Sequence, residues 1–296
     1  MKSHEHRKGV LLMVGATFCW STAGVMVRNL HIKDGWEITF WRSLFMMIFV
    51  LGVLFVQYRG AIWQRITAVG WPGMVAGALW ALMSTCFILA LGHTTVANVL
   101  VISSLSPFAS ALLGRAFLDE RVPGRAWLAI GVAMAGIVLM FVEGLDSGGI
   151  VGNSIALVIP FAFACNVVIL RKAHAAVDML PTLVWSGVFS MAGTLPLALP
   201  LQASAFDVGL LAIMGSIQLG LGCLLLVAAA PRLAAAEIGL LTLLETVLGT
   251  LFTWLFVGEH PRQLALIGGV MVVAALMLNE LIALRSRIMR PVIEKA

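Results

Sequence analysis

The chain has 296 residues, 61% hydrophobic and 11% charged, with a formal net charge of +5 and a mean hydropathy of +1.03. Soluble domains carry about 45–50% apolar and about 25% charged residues, so a soluble fold is excluded. A bilayer, whose core of about 30 Å takes about 20 helical residues per crossing, accommodates this composition, and the positive charge then bears on orientation rather than on nucleic acid.

Polar and Gly/Pro punctuation divides the chain into ten apolar segments, at 9–30, 36–57, 68–91, 94–117, 124–142, 149–171, 179–201, 206–230, 234–257 and 261–284. Runs of this length without strict alternation predict helices, because a barrel strand takes about ten alternating residues. The first segment follows MKSHEHRK and is long enough to read as a span rather than a cleaved leader. It carries Trp20 near mid-membrane, where an indole N–H needs a partner.

The second segment holds Trp41 and Arg42. A guanidinium offers a planar fork of donors to a substrate carboxylate, but six residues into a span it is favoured slightly to snorkel beside an interfacial tryptophan. Segment three brings Trp80 and Ser84, and segment four Asn98, Ser103, Ser104, Ser106 and Pro107. These hydroxyls and amides suit a zwitterion or, equally, bonds between helices. Pro107, like Pro160 in segment six, frees a backbone carbonyl and is a candidate kink.

Segment six adds Phe163 and Asn166, segment seven Trp185, and segment nine Glu237 and Glu245. Glu245 falls near the centre of its span, where a charge costs about 2.5–3.5 kcal/mol on insertion scales. It reads either as a proton-coupling or ammonium-binding carboxylate, or as a neutral acid hydrogen-bonded between helices. Trp36, Trp63, Trp71 and Trp127 fall near segment ends, as anchors do. The cysteines, at 19, 86, 165 and 223, all lie in apolar segments and read as packing residues. No disulfide, metal site or cofactor is expected.

With the N-terminus inside, fifteen of the Lys and Arg residues fall on the cytoplasmic side against three outside, Arg28, Lys33 and Arg262, with Arg42 within a span. That bias predicts ten spans with both termini cytoplasmic.

Three stretches recur in order at nearly constant spacing. WSTAGVMVR from Trp20 matches FACNVVILR from Phe163; WEITFWRSLF from Trp36 matches LPTLVWSGVF from Leu180; LSPFASALLGRAFLDER from Leu105 matches LETVLGTLFTWLFVGEH from Leu244. The offsets are 143, 144 and 139. Two halves follow, 1–145 and 146–296, of five helices each. Five is odd, so the halves enter the membrane from opposite sides, a construction of secondary transporters with the site near the midplane. The fold class expected is therefore an all-α membrane protein of ten transmembrane helices in two inverted five-helix repeats. Glu120 and Glu259, equivalent in the third match, read as caps of the following helices and partners of nearby arginines.

The WST stretch, the SP...LDER and LE...VGE endings and the duplicated ten-span layout resemble the drug/metabolite transporter superfamily in its EamA branch. CWSTAGVMVR and the tryptophan-rich spans are most similar to the bacterial aromatic amino acid exporters. The resemblance implies an inner-membrane carrier of amino acids and other small metabolites, with the lipid bilayer as surroundings and no nucleic-acid partner. Where that family commonly has Leu-Glu-Pro, this chain has Leu244-Glu245-Thr246. The expected substrate-contacting set is Trp20, Trp41, Arg42, Trp80, Ser84, Asn98, Ser103, Phe163, Asn166, Trp185 and Glu245. An enzyme is not expected: HExxH, GxSxG and a Walker lysine are missing from the sequence. A multidrug or organic-cation exporter is the alternative within transport.

Overall fold

In a computed structural model of the protein, residues 2–118, 124–147, 149–172, 178–233 and 235–293 are described, and among them the regular structure is helical throughout. The turn holding Glu120 and Arg121 lies outside the described residues.

Helices α1 (Lys2–Ser21) and α2 (Ala23–Asn29) form one column bent at Thr22. The bend has a local cause: Ser21 Oγ donates to Thr17 O at 2.6 Å and Thr22 Oγ1 to Cys19 O at 2.7 Å, and such back-bonding bends helices. Next come α3 (Gly35–Tyr58), the short α4 (Ile62–Ala68) and α5 (Gly70–Leu91).

The fourth column is broken into α6 (Val96–Ser103) and α7 (Ser106–Leu118). Pro107 lacks the N–H that would bond Ser103 O, and Ser106 Oγ takes over that carbonyl at 2.6 Å. The proline sits in the first turn of α7, where it is tolerated.

Then follow α8 (Gly124–Ser147), α9 (Ile150–Lys172) and α10 (Met179–Ala198). An eighth column joins α11 (Ala205–Ile213), a π-helical segment Met214–Leu221 and α12 (Gly222–Ala229), and α13 (Ala235–Val257) and α14 (Gln263–Ile293) complete the chain. Seven of the helical stretches are long and apolar enough to cross a membrane; Ala126–Leu139, Leu241–Val257 and Gln263–Asn279 are shorter apolar stretches. Their outer faces carry exposed apolar side chains, with Trp63, Trp71 and Trp127 among them, as lipid contact and ring anchors require.

Packing couples early helices to late ones. The α3 helix lies on α10 and on the π segment, α5 on α9 and α10, α1 on α12 and α13, α7 on α9, and α8 on α14. Where α8 meets α14, a Cβ on Gly136 would stand 2.6 Å from Gly268 O, so small residues let the backbones touch. Asp34 and Asp178 cap α3 and α10 alike, accepting from Trp36 N at 3.0 Å and Leu180 N at 3.3 Å, and Ser43 and Ser190 Oγ atoms meet between those helices at 2.8 Å.

One end of the bundle is tightly clasped. Arg28 Nε donates to Glu259 Oε2 at 2.8 Å while its other nitrogens donate to Leu91 O and Thr94 O, each at 2.8 Å. Glu259 Oε1 accepts from Val96 N at 2.6 Å. The expected arginine partner is therefore present, but Glu259 caps α6 from the first half rather than the helix after it. Nearby, Glu37 is 1% exposed and accepts from Gln202 N at 2.9 Å and Ala203 N at 2.8 Å. Asp207 accepts from His31 N at 2.8 Å. The opposite end is joined by exposed contacts, Arg232 to Glu5 at 2.9 Å and His6 to Glu237 at 3.0 Å, which takes up Glu237.

Candidate substrate site

The interior is organised around Arg42. At 4% exposure it does not snorkel, contrary to the position-based expectation. The close fit of α3 on the π segment turns it inward: a Cβ on Gly215 would lie 2.7 Å from Met46 N and 2.8 Å from Phe45 Cβ. Only glycine allows that approach, and the resulting contact removes the Arg42 side of α3 from the surface. Arg42 Nη1 donates to Ser84 Oγ at 3.2 Å, its Nε has no partner, and its guanidinium carbon stands 6.0 Å from the Phe87 ring centre.

Glu245, on α13, is half-buried. Among the described residues its side chain has no hydrogen bond. Arg42 and Glu245 interact electrostatically, and Cys223 on α12 lies within the same field, yet no direct ion pair closes between Arg42 and Glu245. The bundle thus holds a guanidinium with a free donor and, on another helix, a carboxyl, in a medium where charges act strongly on one another.

Trp20 forms a further wall. Its indole lies on Gly222, where a Cβ would be 2.7 Å from Trp20 Cδ1. Its Nε1 is buried without a partner. The Trp20 carbonyl oxygen lies 3.5 Å from Gln218 Nε2 on the π segment. Of the sequence-derived set, then, Arg42 and Ser84 are bonded to each other.

The rest separate. Trp41 lies on α3 stacked on Phe45 and donates its indole N–H to Glu37 Oε1 at 3.2 Å. Trp185 donates to Ile66 O at 3.1 Å and stacks on Phe189, so its indole fixes α4 to α10. Asn98 bonds Thr94 Oγ1 and Asn153 Oδ1, both at 3.2 Å, a polar link between α6 and α9. Ser103 Oγ returns to Val99 O at 2.7 Å. Trp80 is half-buried on α5, and Phe163 and Asn166 lie on α9, with no hydrogen bond to Arg42 or Glu245. Two open apolar grooves, lined by Phe55, Val56, Arg59 and Gly60 and by Phe49, Gly52, Val53, Val56 and Gln57, lie along α3 and include none of these residues.

Sequence reasoning missed Cys223, Gly215, Gly222 and Gln218. The available signal for Gly222 was the GLGC run at 220–223, and that for Gln218 an amide within an apolar span. Among the described residues no cluster of His, Cys, Asp or Glu has metal-binding spacing.

A buried arginine and a half-buried glutamate inside an apolar helical bundle suit one class, membrane transport proteins. The EamA-like transporter family matches residues 7–142 and again 150–281; the chain belongs to this family. The pseudopaline exporter CntI of Pseudomonas aeruginosa is 27% identical over 281 residues, covering 91% of this chain and 94% of the exporter. Protein RarD of Salmonella typhi and that of Escherichia coli are each 24% identical, covering 88% of this chain and 90% of the relative. A solved crystal structure, described simply as that of a protein, superposes with a TM-score of 0.67 at 15% identity over 94% of this chain and 99% of its own, a shared fold.

Proposed function

We propose that the chain is a secondary transporter that exports amino acids, aromatic and apolar ones foremost, and related small metabolites across the bacterial inner membrane by alternating access. The observation that carries this reading is a buried arginine with an unpartnered Nε, Arg42 of the first half, in the same apolar bundle as the half-buried Glu245 of the second. A zwitterion fits between them, its carboxylate on the guanidinium and its ammonium on the glutamate, with the Trp20 ring as an apolar wall. A lone cation would meet Arg42 and a lone anion Glu245, which favours net-neutral substrates over organic cations.

The architecture proposed with it is ten spans in two inverted repeats, 1–145 and 146–296, both termini cytoplasmic. Support comes from the family's double match and from packing that pairs under exchange of halves: α5 on α9 corresponds to α1 on α12, α7 on α9 to α1 on α13, and α3 on the π segment to α5 on α10. The N-terminus of α6 also meets the chain just past α13 at Glu259, as antiparallel equivalents must. An exporter is named among the relatives, the pseudopaline exporter; polar metabolites of that breadth suit a site with both charges.

Counterflow in vesicles reconstituted with the protein tests this. Saturable exchange of labelled phenylalanine is expected, and saturable flux of a lipophilic cation without any amino acid flux would overturn it. Repeating the assay with and without a proton gradient assigns coupling: unaltered gradient dependence in Glu245→Gln removes Glu245 as a proton carrier.

A further inference from the structure

Besides Arg42 Nε, two further buried polar atoms beside the site lack partners: Trp20 Nε1 and Gln218 Oε1. Gln218 is 3% exposed and sits inside the π segment. Its Nε2 reaches Trp20 O at 3.5 Å, so the amide stands beside Trp20 with its oxygen free. Gly215, against α3 at Arg42, and Gly222, beneath the Trp20 ring, flank it on the same column. Gln218 therefore lies between the Arg42 contact and the Trp20 contact.

Buried polar groups are normally satisfied, and exceptions call for an explanation. π-helical turns within α-helices are frequent at functional sites. Here the unbonded atoms are complementary in kind, a donor on Trp20 and an acceptor on Gln218. Neither the carboxylate nor the ammonium of a zwitterion uses both.

We propose that Gln218 and the indole N–H of Trp20 form a second, polar subsite next to Arg42 and Glu245, which takes a neutral group able both to donate and to accept a hydrogen bond, a hydroxyl or a carboxamide. The inference rests on the transport reading above. It makes the carrier one that discriminates between isosteric substrates by their distal polar group. A site built to bond a hydroxyl rejects the analogue without it, since its own polar groups are then left unpaired.

The test is counterflow of two near-isosteric pairs, tyrosine with phenylalanine and threonine with valine, in reconstituted vesicles. The native protein is expected to carry the hydroxylated member of at least one pair about tenfold better, a ratio one net hydrogen bond supports. Gln218→Leu is expected to bring that ratio near one by lowering the flux of the hydroxylated member more than that of the apolar one. Trp20→Phe, which keeps an aromatic ring and removes the N–H, is expected to lower the same ratio. No preference in either pair, a preference that survives Gln218→Leu, or an equal fall of both members overturns the subsite; the last outcome marks Gln218 as a packing residue. Absence of all amino acid flux in the native protein overturns the transport reading itself, and flux without discrimination overturns only the subsite.

Discussion

Arg28, in the last turn of α2, and Glu259, just past α13, meet at 2.8 Å and tie the first half of the chain to the second. The arginine spends its remaining donors on Leu91 O and Thr94 O, and the glutamate also caps α6 through Val96 N. Removing either side chain leaves partly buried charge and several backbone groups unpaired. Glu259→Ala is expected to cost about 2 kcal/mol of stability, since bonds to charged groups are worth about 1.5–3 kcal/mol. Thermal denaturation of Arg28→Ala, Glu259→Ala and the double variant checks this: the double variant is expected to lose less than the sum of the singles, because the two act as one unit. Additive losses would mean the pair contributes nothing as a pair.

Glycine content in these helices separates into two kinds. At Gly215 an added Cβ would press on Met46 N and Phe45, whereas at Gly209 and Gly193 it would meet nothing within 4 Å. Gly215→Ala is expected to destabilise by about 1–3 kcal/mol through overpacking and to reduce transport. Gly209→Ala and Gly193→Ala are expected to be neutral or stabilising by up to about 1 kcal/mol. Melting temperatures of the three variants in one detergent give the comparison.

The break between α6 and α7 is set by Pro107 and closed by Ser106. Pro107→Ala restores the missing N–H, so a continuous helix competes with the break. Stability is expected to change by no more than about 1 kcal/mol, because proline is tolerated in the first turn of a helix. Transport is expected to slow several-fold if the break serves as a hinge; unchanged counterflow rates would mark it as a passive kink.

The helices were legible because apolar length alone reports them, and the third match between halves sets Ser106-Pro107 against Glu245-Thr246. The structure gives that mismatch a meaning: the proline copy is a broken helix and the glutamate copy a continuous one, α13. Arg42 was misjudged because position along a span says nothing of rotation about it, which the Gly215 contact decides. The roles of Trp41 and Trp185 were hidden for another reason: their indoles are used up by Glu37 and by Ile66 O, partners distant in sequence or unremarkable within it. Gln218 was passed over because a π turn leaves no trace in apolar periodicity.

Charge at the site sets a sharper expectation. Arg42→Met removes the cation that a carboxylate needs, and Glu245→Gln removes the anion that an ammonium needs, so each is expected to lower phenylalanine counterflow at least tenfold, the loss of about 1.4 kcal/mol or more. Arg42→Lys is expected to rescue only part of the activity, because an ammonium lacks the planar fork of guanidinium.

The most direct measurement uses the native protein and three ligands of one shape: phenylalanine, its amide, which lacks the carboxylate, and its N-acetyl derivative, which lacks the ammonium. Inhibition of labelled phenylalanine counterflow is expected from phenylalanine alone, with both derivatives at least tenfold weaker, as a zwitterion held between Arg42 and Glu245 requires. Equal inhibition by the amide or by the N-acetyl derivative would contradict it.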